Sequence, residues 1–432
     1  FKNSFSSQFC FFNAGPPHFT DCVFHRTVDF SFVHAERVSV GFSNSTFLEM
    51  LRADGIVGAL LLNQCRFRSD LSITDADATI IVLDSCIAER ELLLTGTHCA
   101  AFRSPFLRAA SAHQIGPLDV RNDCTLSHSQ FGARVRLEVK ANRLDLSGAQ
   151  LIEGGHVLAE QADIDLSRLS TGRPLRISGS ATSSQQPIIL AVQDADAGLM
   201  SFAHVDMTRC VFYGSHDLGE VVIEPTVRLS RAPAWCTTRR VIADEYSWRR
   251  NAGGIRAIGW KLSGTRLASD PSQDDPDRNV VELPALRASQ VAAVYRDLRR
   301  SFEARSDEPG AADFYYGEME MRRHSREFGT AERAIVWMYW LFSGYGLRAS
   351  RAFAWLLAVI IGGTVAATHV GFVVGRGTYY EGLLFSLRAV LPGLQSSQQL
   401  SMAGGFIEIA LTLLGPVFFA LAVLALRGRV KR

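Results

Sequence analysis

Short phrases of one grammar recur along the first half of this chain: SNSTF (43–47), NQCRF (63–67), LSHSQF (126–131), LSGAQL (146–151), LSRLS (166–170) and MTRCVF (207–212). Each sets a small polar pair, then a small residue or Cys, then a bulky apolar anchor. Phe47 to Phe67 is 20 residues, Phe131 to Leu151 is 20, and Leu151 to Leu169 is 18. A loose period near twenty is the signature of a solenoid, in which each repeat buries its apolar face against its neighbours. Between the anchors lie short runs such as RVSVGF, GALLLNQC, TIIVLDSC, RVRLEVKANRLDLSG and QPIILAVQ. Many alternate apolar with polar, as half-buried strands do, and a Gly, Ser, Asn or Asp turn signal follows every few residues. Twenty residues divide into four sides of five, and at about 3.3 Å per strand residue a side spans roughly 16 Å. Residues 1–215 are therefore expected to wind into a helix of strands with Leu, Phe and Cys stacked inward. A β-sandwich of alternating strands is the alternative. The chain opens at Phe1 in mid-pattern without an initiator Met, so a truncated coding sequence or trimmed chain is expected.

The chemistry-bearing residues assemble into no recognisable site. Eight cysteines, at 10, 22, 65, 86, 99, 124, 210 and 236, form no C-x-x-C and have no His at zinc spacing. Several sit in apolar runs, where Cys packs as a small hydrophobe, and free thiols in a reducing compartment are expected. His25, His34, His128, His156 and His204 stand isolated and read as polar groups at turns. Asp75, Asp77 and Asp84 read as turn residues too. GFSNS is not the G-x-S-x-G of a nucleophile elbow, and no Gly-rich phosphate loop occurs. A net charge of +2 with no Lys/Arg stripe leaves no nucleic-acid footprint. The expectation is a protein that is not an enzyme, with no cofactor, no metal and no nucleic acid.

LDLSGAQL and ADIDLSRL resemble the Ala-(Asp/Asn)-Leu-x-x unit of pentapeptide-repeat proteins. That resemblance implies a right-handed quadrilateral β-helix. After it, residues 216–284 read as a connector, mixed and Trp-rich, with a polar ASDPSQDDPDRN loop at 268–279. A cut near Ser230 is expected to release a soluble all-β fragment. Residues 285–330 carry helical spacing in two stretches separated by Pro309–Gly310, a hairpin resembling one tetratricopeptide unit. Glu318 and Glu320 diverge on a helix, and with their Arg neighbours they read as a solvated, ion-paired face. GAADFYYGEMEMRR followed by LFSGYGLRASRA resembles bacterial membrane-anchored pentapeptide-repeat proteins. Their C-terminal region is similar to two-span potassium channels.

Residues 331–347 hold Trp337, Tyr339, Trp340 and Tyr345 among apolar residues, as an interfacial helix does. A membrane module is expected over 348–432. Ala352 to Val374 runs 23 residues without a formal charge, about 35 Å of helix, and a second span covers about 406–426. Arginines 348 and 351 precede the first span, and Arg427, Arg429, Lys431 and Arg432 follow the second. The positive-inside rule then puts both ends of the chain in the cytoplasm of a bacterial inner membrane. Between the spans, about 379–395 is half a helix carrying Ser386 and Arg388 and stopping at Pro392 and Gly393, expected to enter the membrane and return. No Thr-Val-Gly-Tyr-Gly filter follows, so potassium selectivity is not implied. Arg388 needs a partner at that depth, and Glu408 and Glu381 are the candidates. Gly415 and Pro416 are a candidate hinge in the second span, and Gly362–Gly363 allows close helix contact.

These features point first to a membrane-anchored, homo-oligomeric scaffold or sensor whose β-helix binds a cytoplasmic protein partner. The alternative is an oligomeric channel-like pore of low or anion selectivity gated by the β-helix. An enzyme working in the β-helix groove is the third possibility.

Overall fold

The structure is a computed structural model and describes residues 5–6, 17–31, 34–181, 185–233, 239–262, 265–267, 281–325, 327, 329–372, 378–390 and 400–430. The first half is a parallel β-solenoid of about nine turns. Its period comes from one recurring corner. Asp21, Asn44, Gln64, Ser85, Phe106, His128, Gly148 and Arg168 all have φ between 48° and 67°, one per coil. Asp21, Asn44, His128 and Gly148 are of the types that visit this left-handed conformation most readily, and Gln64, Ser85, Phe106 and Arg168 adopt it at the same corner. The next residue turns inward: Ser45, Cys65, Cys86, Leu107, Ser129, Ala149 and Leu169 are all buried. Two positions on comes the anchor. Phe24, Phe47, Phe67, Ala88, Ala109, Phe131, Leu151 and Thr171 pair in register from coil to coil as one vertical ladder. Steps along it run from 20 to 23 residues.

The 18-residue step to Leu169 is thereby explained. Leu169 belongs to the neighbouring inward ladder, and the true mate of Leu151 is Thr171. Within the core, Phe24, Phe47 and Phe67 stack face to face with centroids 4.9 and 5.0 Å apart. Cys65, Cys86, Cys99, Cys124 and Cys210 are buried, and the six described cysteines are free thiols. Cys10 and Cys236 lie outside the described residues. On one outer side the register lines up Asp77, His98, Asp119, Lys140 and Glu160. Asp119 sits 3.6 Å from both His98 and Lys140.

The solenoid runs past the expected boundary at 215. Strands Met200–Ala203 and Val222–Ile223 continue the sheet, and a bridge between Asp206 and Arg228 extends it further. Its end is covered by helices α1 (Ala243–Ala252) and α2 (Ala288–Ala304). The Ser301 hydroxyl donates to the Val221 carbonyl at 2.5 Å, and Arg305 donates to the Ile223 carbonyl at 2.6 Å. The Asp244 carboxylate accepts the Phe212 and Tyr213 N–H groups at 3.1 and 2.9 Å. Beneath them Glu245 takes both oxygens to Arg239, at 2.7 and 2.6 Å, and accepts from Arg249 and from the Tyr295 hydroxyl. A parallel sheet left open would present unpaired backbone, and this cap supplies the partners. A cut near Ser230, where a soluble all-β fragment is expected, removes these closing groups.

The chain divides into two compact units, and the division falls after Phe314. It lies inside α3 (Glu308–His324), so the expected hairpin at 285–330 is not a domain of its own. Pro309 and Gly310 sit in the first turn of α3, where proline costs no hydrogen bond, instead of separating two helices. In the second unit Glu318 and Glu320 are buried, not solvated. Glu320 holds Arg323 at 2.7 Å and accepts the Tyr345 hydroxyl at 3.1 Å. Helix α4 (Thr330–Ser343) exposes Ile335, Trp337 and Met338. Helix α5 (Ala349–Ala366) runs into a π-helical turn at Ala367–Gly371. A short α6 (Tyr379–Val390) follows, then the long α7 (Met402–Val430).

Candidate functional site

Two segments, Ala349–Gly371 and Met402–Leu424, are long and apolar enough to cross a membrane. Only 17% and 22% of their apolar windows are buried, so most of that apolar surface is left uncovered by the rest of the chain. Their facing ends are tied together. Ser401 donates its N–H to the Gly371 carbonyl and its hydroxyl to the Val370 carbonyl, and Phe372 bridges Leu400 in antiparallel register. Glycines make the crossing close: a Cβ on Gly404 would strike the Gly371 carbonyl.

Helix α6 wedges between α5 and α7. Its first turn is capped by Glu381, which accepts the Thr378 N–H at 2.9 Å. Gly382 then lies against Thr364, and a Cβ there would sit 2.8 Å from the Thr364 carbonyl. One turn on, the Ser386 hydroxyl is 3.0 Å from where a Cβ on Gly363 would stand. At the far end Val390 meets Gly415, where a Cβ would come within 2.8 Å of its Cα. Gly415 lies 13 residues into α7, about 20 Å along its axis. The half-helix thus descends from the joined ends to the middle of the bundle. Ala367, Phe385, Val390 and Leu411 form the core that holds it.

The expected residues that the structure describes are Ser386, Arg388, Glu381, Glu408, Gly415 and Pro416. Ser386 is fully buried, with no hydrogen-bond partner for its hydroxyl among the described residues. Arg388 is exposed, and among the described residues it pairs with neither expected carboxylate. Glu381 is spent on the cap of its own helix. Glu408 is half-buried on α7 and makes no ion pair with a described residue. Gly415 acts as the seat for Val390, and Pro416 lies inside α7. Of the glycine pair, Gly363 is packed against Leu411 while Gly362 faces open space. Pro392 and Gly393 lie outside the described residues. Gly382 and Gly404 were not singled out by sequence, because an isolated glycine in a helix announces close packing only once its neighbour is known.

No family model, curated protein or solved structure matches the chain, so its function is read from its own residues.

Proposed function

We propose that this protein is a membrane-anchored solenoid whose two-span module is one subunit of an oligomeric, channel-like pore of low or anion selectivity. The observation that carries the reading is Arg388, exposed and without an ion pair among the described residues, near the deep end of a half-helix seated against Gly415. If α5 and α7 cross a bilayer, lipid cannot cover that guanidinium cheaply; an unpaired arginine at mid-depth costs at least about 2–3 kcal/mol. Water or a second copy of the chain can. Backbone that stops halfway through a membrane likewise needs protein or water around it. The joined ends of α5 and α7 then face outward. Arg348 and Arg351 at one flank, with the basic tail after α7, keep both ends of the chain and the solenoid in the cytoplasm of a bacterial inner membrane. The three steps of four fives along the ladder, Phe47 to Phe67, Phe131 to Leu151 and Leu151 to Thr171, support a degenerate pentapeptide-repeat coil, right-handed in that family, for the solenoid.

Current across planar bilayers tests this reading. Wild-type protein is expected to conduct with anion preference or weak selectivity. Arg388→Glu is expected to move the reversal potential toward cations while leaving assembly intact. Absence of current in both forms would sink the pore. The second reading is then a tethered, non-enzymatic scaffold that binds a cytoplasmic protein through the solenoid. The five-rung charged ladder from Asp77 to Glu160 supports it, since such a row is a surface of fixed spacing.

A further inference from the structure

The last coils of the solenoid, the Ser230–Val241 strand pair and the end of α2 line an open cleft of about 740 Å³, all within the first unit. That volume falls in the range of roughly 300–1,000 Å³ that holds small ligands. Four arginines line it: Arg209, Arg228, Arg231 and Arg240. Its two carboxylates are already engaged. Glu224 is held by Arg176 at 2.9 Å, outside the lining, and Asp307 by Arg240 at 3.6 Å. Arg228 in turn faces Asp206 at 3.3 Å. Arg209 and Arg231 remain, and neither guanidinium has an ion pair or hydrogen bond among the described residues. Arg209 is half-buried, where an unanswered charge is harder to solvate than at the open surface. The rest of the wall includes Leu262 and Phe302, whose ring lies under the Arg240 guanidinium.

We infer that this cleft binds a phosphate monoester on an apolar body, a ligand of about nucleotide size. Two guanidinium forks without a partner among the described residues, Arg209 half-buried and Arg231 exposed at the rim, match the two charges and the oxygen geometry of a phosphate monoester better than they match a monocarboxylate. The apolar wall accommodates the body that carries the phosphate. A soluble nucleotide and a lipid headgroup share this chemistry. The site is separate from the half-helix module, so the pore and the ligand stand or fall independently.

Full-length protein in detergent tests it by calorimetric titration with adenosine monophosphate and, in parallel, with dihexanoyl phosphatidic acid. At least one binds at submillimolar concentration, and inorganic pyrophosphate displaces it while adenosine does not. Arg209→Gln and Arg231→Gln each weaken binding about tenfold, the loss expected when one charge-assisted hydrogen-bond pair is removed. The tighter of the two probes identifies the source of the phosphate. The inference is overturned if neither probe nor pyrophosphate binds at millimolar concentration. It is also overturned if the double variant, melting like the wild type, binds as the wild type does. The pyrophosphate competition on unaltered protein keeps the test decisive should a variant fail to fold.

Discussion

Two adjacent carboxylates in α1 carry opposite electrostatic stories. Asp244 and Glu245 are sequence neighbours, fully buried, yet burial pushes the Asp244 carboxyl up to about 6, although two backbone N–H groups favour its charge. Burial also opposes the Glu245 charge, but Arg239 and Arg249 beside it hold that carboxyl down at about 2. The raised group contributes stability that is fully present below about pH 4 and lost as pH rises through about 6. The depressed one contributes stability present above about pH 4.5 and lost as pH falls through about 2. The melting temperature of the wild type minus that of Asp244→Asn should therefore fall between pH 4 and 6.5 and then level off. The underlying effect is at most about 3 kcal/mol. A difference that grows with pH would refute the assignment. Ser386 gives the opposite kind of test. An orphaned buried hydroxyl costs about 1–3 kcal/mol, so Ser386→Ala should leave the melting temperature unchanged or raise it. A clear fall would mean that the hydroxyl has a partner, such as water or a second copy.

At the scale of elements, the solenoid is a stack in which each coil answers to its neighbours. Phe47 stands between Phe24 and Phe67, so Phe47→Ala opens a hole in the middle of an aromatic column, at a cost of about 3–5 kcal/mol. Because stability in such a stack is close to a sum of nearest-neighbour terms, the loss should be local. Hydrogen exchange should rise in the coils around Phe24, Phe47 and Phe67 and stay near wild type around Leu137 to Ile177. Uniform loss of protection would show instead that the solenoid unfolds as one unit. Buried thiols obey the same geometry. Burial pushes Cys99 up to about 12 and raises Cys124 and Cys210 as well, so none of the three is a ready thiolate in the folded coil.

For the whole chain, the decisive boundary is chemical. A fragment ending at Ser230 would leave the Val221 and Ile223 carbonyls and the Phe212 and Tyr213 N–H groups without the partners that α1 and α2 bring. One ending at His324 keeps them all. The longer fragment is expected to be soluble, with circular dichroism of a β-rich protein plus helix, and the shorter one to aggregate or lose β signal. Equal solubility and equal melting of the two would show that the cap is dispensable.

The amino-acid sequence by itself determined the period, the inward anchors and the two apolar spans. These are local patterns: a left-handed corner favours Gly, Asn and Asp, a buried strand face needs alternation, and a membrane needs about twenty apolar residues. It also located the half-helix and its arginine. Only the tertiary structure decided that Thr171, not Leu169, is the mate of Leu151, since ladder position depends on which residue lies one coil below. It decided that Glu318 and Glu320 are buried, because Arg322, Arg323 and Tyr345 come from other turns to meet them. It left Arg388 exposed and paired with neither Glu408 nor Glu381 among the described residues, Glu381 being taken by the cap of α6. And it gathered Arg209 and Arg231 around one cleft, a proximity that coil stacking creates and that no spacing along the chain records.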